Sequence, residues 1–412
     1  MASFATSLSG LQANSQDLSV ISNNLANLNT TAYKGATPAF QDLFYQAIGT
    51  SGDGNPIQVG VGTTVGSIPA NFSEGNIQTT GVPTDVAIQG NGFFIGNDNG
   101  QQVFVRAGDL AIQANGTLVS SNGATILGYQ AVNGVINPNQ TPGTLTISSG
   151  AINPPNPTTT ANLSLNLNSG TAVGGTFSTA ITVYDSLGAP HILTYNFTNT
   201  GPGAWNYSIT IPAADVGATG APVVVKNGTL AFNGAGQLTT PAANVTGITI
   251  AGFADGANTM TFAWDLYDAN GVGQLTQVAA PSATSATLQN GYASGSLESY
   301  TINSDGTIEG TFSNGQTQSL GQILLATFAN QEGLSRNGSN EFLATLASGA
   351  PNIGVPGTGG RGTLSGGSLE QSNVDISTQF ANLIVAESGY QANAKVVTTL
   401  DTIVQDTINL IQ

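Results

Sequence analysis

Residues 1–35 read MASFATSLSGLQANSQDLSVISNNLANLNTTAYKG, and their apolar positions decide the fold that we expect for the chain. The apolar residues recur in steps of three and four, which predicts a helix with one narrow apolar stripe. The stripe comprises Phe4, Leu8, Leu11, Leu18, Ile21, Leu25 and Leu28. Because a stripe of this width suits a partner helix better than a globular core, we expect it to pair with another helix.

A second apolar stripe lies at the other end of the chain, in residues 373–412. It comprises Ile376, Phe380, Leu383, Ile384, Tyr390, Val397, Leu400, Val404, Ile408 and Ile411. Ser372, Asn373 and Asp375 are candidate N-caps for a helix that would be roughly 50 Å long. The two striped helices predict a coiled-coil-like inner domain. An ordinary bundle of terminal helices is the alternative that the periodicity leaves open.

The chain between the two helices is predicted to be antiparallel β structure. Asn-Gly pairs, which favour tight hairpin turns because both central residues need positive φ, separate short apolar runs between residues 91 and 134. A later run, residues 150–290, contains both tryptophans, Trp205 and Trp264, and so can hold a core of its own. The predicted fold class is mainly β with α-helical termini and two nested antiparallel β domains.

The nesting gives seven segments. They are an N-terminal helix (1–35), a connector (36–71), the first half of β domain 1 (72–149), an inserted outer β domain 2 (150–290), the second half of β domain 1 (291–350), a connector (351–372) and a C-terminal helix (373–412). The aromatic-bearing connector 36–71 is expected to seat one copy of the chain against its neighbours. A plain flexible linker is the alternative for that segment.

Three blocks of sequence carry a family resemblance. They read ISNNLANLNTTAYKG (21–35), DVAIQGNGFF (85–94) and LEQSNVD (369–375), the last followed by YQANAK (390–395). In this order they resemble the signatures of the bacterial flagellar rod and hook proteins. The residues that carry the resemblance are Asn23, Asn24, Asn27, Tyr33, Lys34, Gly35, Gly90, Gly92, Phe93, Ser372, Asn373, Val374, Asp375, Tyr390, Gln391, Ala392 and Asn393.

The resemblance implies a structural role and a set of partners. Members of this family assemble with copies of themselves, and the large inserted domain favours a hook component over a distal rod component. We therefore expect a helical homopolymer, a curved and flexible tube that transmits torque from rod to filament. The other implied partners are the rod, hook-cap and hook–filament junction proteins. A distal rod subunit and, outside the family, a secreted β-rich adhesin or polysaccharide-active enzyme are the alternatives.

The composition excludes several other functions. Charged residues make up only 7% of the 412 residues, and 6 Lys and Arg against 22 Asp and Glu give a net charge of -16. Without clustered cations, neither nucleic acid nor an anionic membrane is an expected partner. Cysteine is absent, which excludes disulfides and thiolate chemistry. Contacts between copies are expected to depend on shape, apolar burial and hydrogen bonds.

No motif in the sequence predicts catalysis, a metal or a cofactor. The single histidine, His191, lies in an alternating strand-like run and is interpreted as a structural residue. The run GTGGRG (357–362) resembles a dinucleotide loop as text, but no helix is predicted to follow it. Residues 303–309 suggest a calcium loop without the EF-hand spacing, so a hairpin is the preferred interpretation. We predict that the chain is not an enzyme.

The sequence and the resemblance differ about location. No apolar run approaches the roughly 20 residues that a membrane-spanning helix needs. The N-terminus also lacks the pattern of a cleaved secretory signal, so sequence alone suggests the cytoplasm. The resemblance instead implies export through the flagellar type III channel, without cleavage, to the extracellular hook. We follow the resemblance, because low charge and the absence of cysteine suit a chain that is exported unfolded.

Overall fold

The computed structural model describes residues 2–148 and 150–411, with the helical backbone alone described at residues 2, 3, 410 and 411. The chain divides into two compact units. Unit 1 comprises residues 1–149, 299–310 and 318–412, and unit 2 comprises residues 150–298 and 311–317. The predicted fold class, mainly β with helical termini that pack together, is confirmed.

Unit 1 contains two long helices, α1 (Ala2–Ala26) and α2 (Ile376–Ile411). α2 begins after Asp375, whose Oδ1 accepts a hydrogen bond from the Thr378 backbone N–H at 2.7 Å. This is the N-cap interaction that satisfies a free donor in the first helical turn. α1 ends at Ala26, before the predicted residue 35; residues 27–32 form turns, and Ala32 has a positive φ of 53°. None of the described helices has the length and apolarity needed to cross a membrane.

The first twelve strands belong to unit 1. They are β1 (Ala39–Asp42), β2 (Tyr45–Thr50), β3 (Pro56–Gly60), β4 (Thr63–Ser67), β5 (Ile77–Thr79), β6 (Val86–Gln89), β7 (Phe93–Asp98), β8 (Gln101–Val105), β9 (Leu110–Ile112), β10 (Leu118–Ser120), β11 (Thr125–Gln130) and β12 (Gly143–Thr144). β7 and β8 form a hairpin that turns at Asn99 and Gly100, both with positive φ, as the Asn-Gly rule predicts. β2 and β3 form a hairpin, and β1 pairs with β4 on either side of it, so the segment predicted as a connector contains four paired strands.

The next eleven strands belong to unit 2. They are β13 (Ile152–Asn153), β14 (Thr160–Asn166), β15 (Thr176–Tyr184), β16 (Pro190–Gly201), β17 (Ala204–Ile211), β18 (Val223–Phe232), β19 (Leu238–Thr240), β20 (Val245–Ile250), β21 (Met260–Asp265), β22 (Leu275–Thr276) and β23 (Ala283–Gln289). One sheet has the order β15-β16-β17-β18-β19 and the other β20-β21-β14-β22, with β23 also paired to β14. β14 runs parallel to β21 and β22, which the expectation of purely antiparallel strands did not include.

A large hydrophobic core lies in unit 2. Alternate residues of the long strands, such as Tyr195 and Phe197 in β16, are fully buried in it. Trp205 and Trp264 are also fully buried, and Trp264 makes edge-on ring contacts with Tyr195 (5.0 Å) and Tyr207 (5.1 Å). Because these residues come from both sheets, the core joins the two sheets of the unit.

The last nine strands return the chain to unit 1. They are β24 (Gly295–Ile302), β25 (Thr307–Phe312), β26 (Thr317–Ile323), β27 (Leu325–Thr327), β28 (Ser335–Gly338), β29 (Glu341–Leu343), β30 (Asn352–Gly354), β31 (Thr363–Gly366) and β32 (Ser368–Glu370). β24 to β26 each include residues of both units. Within unit 1, β27 pairs with β7, β29 with β8, β31 with β6 and β32 with β5. Late strands therefore complete the sheets that early strands begin.

Candidate assembly site at the junction of the terminal segments

The segments that follow α1 and precede α2 meet in unit 1, and Asn373 joins them. Its Oδ1 accepts a hydrogen bond from the Gly35 backbone N–H at 2.9 Å. Its Nδ2 donates to the carbonyls of Asn71 (2.7 Å) and Ser73 (3.0 Å). One amide thus connects three separate stretches of backbone, which requires a side chain that both donates and accepts.

Asn24 has a similar role at the end of α1. Its buried amide accepts from the Ala36 N–H at 3.0 Å and donates to the Ala36 carbonyl at 2.8 Å. Its Nδ2 also lies 3.2 Å from Oε1 of Gln379 in α2. A carboxylate or a hydroxyl could not pair with both the N–H and the carbonyl of Ala36 and also donate to Gln379. Asn24 therefore fixes the turn after α1 against the start of α2.

Lys34, Arg106 and Glu370 form a buried ion cluster beside this junction. Lys34 Nζ lies 2.6 Å from Glu370 Oε1, and Arg106 Nε lies 2.6 Å from Glu370 Oε2. Their side chains are at most 5% exposed. Lys34 also donates to the Ser73 carbonyl at 2.8 Å, and the Gly75 N–H donates to Glu370 Oε1 at 2.7 Å.

The charges in the cluster support one another. Burial alone would raise the pKa of the Glu370 carboxyl, but Arg106 and Lys34 offset burial and hold that pKa below its usual value. A buried charge is strongly unfavourable unless it is paired, so each member depends on the others. The cluster joins the segment after α1, the strand before α2 and the loop after β8.

Arg106 extends the cluster to the middle signature block. Its Nη1 donates to the Gly92 carbonyl at 2.7 Å and its Nη2 to the Ile88 carbonyl at 2.8 Å. Gly92 has a φ of 144° and Gly90 a φ of 95°, a backbone region that favours glycine. Phe93 follows and is buried against Phe342 and Phe72. Sequence reasoning did not select Arg106, and Glu370 entered only as part of a quoted block.

Gly75 is expected to tolerate no side chain. A Cβ at this position would lie 2.0 Å from the Gln371 carbonyl oxygen, a backbone atom that cannot move aside cheaply. Gly75→Ala should therefore lower the free energy of unfolding of unit 1 by about 1–3 kcal/mol. The matched control is Gly143→Ala in β12, where nothing lies within 4 Å of the new Cβ. Urea unfolding of both variants measures this difference, and equal midpoints would contradict the close approach.

Other residues of the N-terminal signature form hydrogen bonds around the end of α1. Asn27 Nδ2 donates to the Asn23 carbonyl at 2.9 Å, and Asn23 Nδ2 donates to the Tyr33 hydroxyl at 3.0 Å. The guanidinium of Arg336 lies 5.5 Å from the centre of the Tyr33 ring and donates to the Lys34 carbonyl at 2.6 Å. Arg336 is another functional candidate that sequence reasoning missed.

α1 and α2 pack antiparallel through two reciprocal Gly–Asn pairs. A Cβ on Gly10 would meet the Asn393 side chain at 2.9 Å, and a Cβ on Gly389 would meet Asn14 at 2.8 Å. Each asparagine also donates to the carbonyl of the glycine four residues earlier in its own helix, at 2.7 Å for Asn14 and 2.9 Å for Asn393. Glycine allows the two backbones to come close, and the amides fill the space above it.

The predicted stripe residues differ in burial on the helix pair. Ile21 is buried, while Leu11, Leu18, Leu25, Leu28, Leu383, Tyr390, Val397 and Leu400 are half-buried. The exposed ones are Phe4, Leu8, Ile376, Phe380, Ile384, Val404 and Ile408. The side chain of Ile411 lies outside the described residues. The stripes therefore leave an apolar surface on the helix pair within one chain.

Other signature residues lie just before α2 or on its exposed side. Ser372 Oγ accepts from the Val374 N–H at 3.3 Å, and Val374 is half-buried beside Gly35. Ala392 and Gln391 are exposed, and Gln391 Nε2 donates to Glu387 Oε1 at 3.0 Å. The Gln391–Glu387 hydrogen bond therefore lies on the exposed surface of α2.

The β2–β3 hairpin carries a second exposed apolar surface in unit 1. Every residue of both strands is exposed, and the preceding Phe44 is 89% exposed. Tyr45, Ile48, Ile57 and Val59 contribute large apolar side chains to it. A two-stranded hairpin of this kind gains little stability alone and requires further packing.

The loop-like sequence motifs lie in turns between strands. Residues 303–309 connect β24 to β25 through a tight turn, in which the Asn303 N–H donates to the Thr307 carbonyl at 2.9 Å. Gly357 and Gly362 are joined by a backbone hydrogen bond between β30 and β31, where no helix begins. Asp185, His191 and Asp255 have polar atoms within 4.8 Å of one another. Both ring nitrogens of His191 already contact carboxylates, so we assign no metal there.

Known domain families match the chain along most of its length. The matches are the flagella basal body rod protein (residues 4–34), the flagellar hook protein FlgE/F/G D1 domain (87–168), the flagellar basal body protein FlaE D2 domain (174–292) and the flagellar basal body rod FlgEFG protein C-terminal region (365–410). The flagellar hook protein FlgE of Salmonella typhimurium is 37% identical over 99% of this chain and 100% of its own length. The chain belongs to the flagellar hook protein family.

Further relatives extend this result. The flagellar hook protein FlgE of Treponema pallidum is 34% identical over 100% of this chain and 99% of its own. The crystal structure of the Helicobacter pylori flagellar hook protein FlgE2 covers 70% of this hook-family chain and 98% of its own, with 14% identity and a TM-score of 0.50. At that identity the structure supports a shared fold. The family resemblance of the three signature blocks is confirmed.

Proposed function

We propose that this chain is a structural subunit of the bacterial flagellar hook and that it assembles with copies of itself into a tube. The observation that carries the proposal is the exposed apolar surface of α1 and α2. Gly10 and Gly389 lie against asparagines of the opposite helix, whereas Phe4, Phe380 and Ile384 are exposed in the single chain and so remain available to other copies. The same terminal helices contain the residues that match the rod and hook families.

The apolar surface is large enough to support assembly. Burying one Leu, Ile or Phe side chain contributes about 1.5–3 kcal/mol, and each copy offers several such side chains in addition to the β2–β3 hairpin. Loss of translational and rotational freedom offsets part of this gain. Head-to-tail contacts that do not close into a ring generate a helical tube. We propose that the self-assembly residues are the stripe residues of both helices.

The junction residues have a different role in this proposal. Asn24, Asn373 and the Lys34–Arg106–Glu370 cluster set the direction in which the helix pair leaves the β structure of unit 1. A tube built from identical subunits needs that direction to be the same in every copy. We propose that residues 1–35 and 373–412 form the inner domain, 72–149 and 291–350 the first β domain, and 150–290 the outer β domain.

Partners and location follow from the hook role. We propose contacts with rod, hook-cap and hook–filament junction proteins, and a place outside the cell after export through the flagellar type III channel. Few exposed charges favour neutral polar contacts, which can exchange while neighbouring copies slide. This property suits a tube that bends while it transmits torque. The role is structural and requires no catalysis.

Ile384→Asp tests the assembly surface. Ile384 is 62% exposed in the single chain, so the variant should fold normally, with a change in stability within about 0.5 kcal/mol. In the tube the new carboxylate would have to be buried among apolar side chains, and we expect assembly to be lost. Electron microscopy of the assembled protein and thermal unfolding of the monomer measure the two effects.

Asn382→Asp is the matched control for this experiment. It makes the same change of charge at an exposed polar position of α2, two residues away and on another side of the helix. We expect tubes to form from this variant. Normal tubes from Ile384→Asp would contradict the proposed surface, and loss of tubes from both variants would show an effect of charge alone.

A further inference from the structure

His191 lies between two carboxylates at one end of unit 2. Its Nε2 is 3.0 Å from Asp185 Oδ2, and its Nδ1 is 3.1 Å from Asp215 Oδ2. The His191 side chain is 7% exposed and Asp185 is fully buried, while Asp215 is 27% exposed. Phe253 covers the ring at 4.7 Å between ring centres. The ring is therefore held in place with a carboxylate at each nitrogen.

A neutral imidazole cannot satisfy both contacts. It carries one N–H and one bare nitrogen, so it can donate to only one carboxylate, whereas the protonated ring donates to both. At 3.0 Å a bare nitrogen facing a carboxylate oxygen would leave two acceptors opposed without a hydrogen between them. The observed distances on both sides therefore fit the protonated ring.

The charged groups around His191 also favour the protonated ring. The titratable groups that face His191 are Asp185 at the end of β15, Asp215 in the 3₁₀ turn Ala213–Val216 and Asp255 in the turn after β20. All three are acidic. Burial would lower the pKa of His191, but the hydrogen bonds and charges of Asp185 and Asp215 raise it above the usual value.

Each carboxylate belongs to a different turn. Asp185 Oδ1 accepts from the Leu187 and Ala189 N–H groups, which fixes the turn from β15 to β16. The Asp215 carbonyl accepts from the Ala254 N–H at 2.9 Å, so the 3₁₀ turn is joined to the turn that carries Asp255. These turns connect strands of both sheets of unit 2, and His191 is the side chain that links them.

We propose that His191 is a proton-dependent switch that ties together three turns of unit 2 and releases the 3₁₀ turn 213–216 when it loses its proton. When His191 loses its proton, Asp185 keeps its place, because it accepts hydrogen bonds from two backbone N–H groups and is fully buried. Asp215 is partly exposed and can turn its carboxylate to water. The neutral ring therefore keeps the Asp185 contact and loses the Asp215 contact.

The direction in which pH changes the stability of unit 2 follows from the raised pKa of His191. The pKa of His191 is higher in the folded chain than its ordinary value of 6.5, so the protonated ring stabilises the fold at pH values below 6.5. This contribution to stability is lost as the pH rises through the pKa of the folded chain. Unit 2 should therefore be closed at this end below pH 6.5 and should loosen as the pH rises through the raised pKa of His191.

The full chain contains one histidine, so labelling the histidine ring with ¹³C gives one ring signal to follow by NMR. We expect a titration midpoint above 6.5 in the wild type and a lower midpoint in Asp215→Asn. Glu298→Gln, at an exposed carboxylate of unit 2, makes the same charge change away from the ring and should leave the midpoint unaltered. A midpoint at or below 6.5, or one that Asp215→Asn does not lower, would overturn the proposal.

Amide hydrogen exchange tests the structural half of the proposal. In the wild type, residues 213–218 should lose protection above the midpoint, after correction for the intrinsic pH dependence of exchange. In His191→Gln the protection of these residues should be low at every pH, while residues 193–209 in the core strands show that the variant is folded. Protection that does not change across the midpoint would overturn the switch. If added zinc chloride stops the titration of the ring signal and a chelator restores it, a metal ion binds in the place of the proton. That result would also overturn the switch.

Discussion

Glu370→Gln should lower the free energy of unfolding of unit 1 by about 3–5 kcal/mol. The substitution keeps the shape of the side chain but leaves the Lys34 and Arg106 charges buried without a counter-charge. It also places an amide NH₂ group among donors that now have too few acceptors. Urea unfolding, with hydrogen exchange to assign each transition to a unit, measures the loss. We expect the unfolding of unit 2 to be unaltered.

Glu332→Gln is the matched control, because Glu332 belongs to the same unit and is exposed. It should change the stability of unit 1 by no more than about 0.5 kcal/mol. Similar losses in both variants would show that charge in general, and not the buried cluster, determines the stability of unit 1.

The same cluster predicts an acid dependence. Because the pKa of Glu370 is lower in the folded chain than its ordinary value of 4.5, its contribution is present above that value and is lost as pH falls through the folded pKa. Wild-type unit 1 should lose stability on acidification from pH 5, and Glu370→Gln should lose less over the same range. Parallel acid profiles of the two proteins would contradict the ion pairing.

Trp264→Ala should lower the free energy of unfolding of unit 2 by about 3–5 kcal/mol. Trp264 is fully buried between Tyr195 and Tyr207, and its removal leaves a cavity where the two sheets meet. Val173→Ala, at a 72% exposed position of the same unit, is the control and should have little effect. Thermal unfolding with hydrogen exchange measures both.

This variant also tests the proposed division of the chain. All residues of the tryptophan-containing core lie between Ala161 and Leu275 and so belong to unit 2. Exchange rates in the strands of unit 1 should therefore stay at wild-type values while those of unit 2 rise. A joint rise in both units would contradict two separately stable domains.

The sequence predicted the fold class because helix and strand periodicities differ clearly in this chain. Steps of three and four at both ends and Asn-Gly turns in the middle gave the helices and the hairpins, including the turn at Asn99 and Gly100. The end of α1 was placed too late, because the apolar Leu28 continues the period after the backbone has left the helix.

The sequence did not predict how the helices meet. Apolar spacing indicates which residues share a face, but it does not show that Gly10 and Gly389 allow the closest approach. In sequence, glycine within a helix reads as a weak helix former. The structural reason for Asn393, which the family resemblance had selected, appears only when the opposite glycine is seen.

The ion cluster could not be predicted from the sequence either. Arg106 and Glu370 lie 264 positions apart, and nothing near either residue indicates the partner. The same holds for Asp215 and His191, because a 3₁₀ turn and a strand end must be placed in space before a shared proton can be considered. Periodicity describes local structure, whereas buried polar partners depend on the topology that joins distant segments.

The antiparallel register of the terminal helices limits how these proteins can change in length. Gly10 faces Asn393 and Asn24 faces Gln379, and the same number of residues separates the two positions in each helix. A one-residue insertion or deletion in only one helix between these points would move Ser388 or Tyr390 into the place of Gly389 opposite Asn14, where a side chain does not fit. Relatives of different size should therefore gain or lose residues in the loops and β segments, or in both helices together by equal amounts.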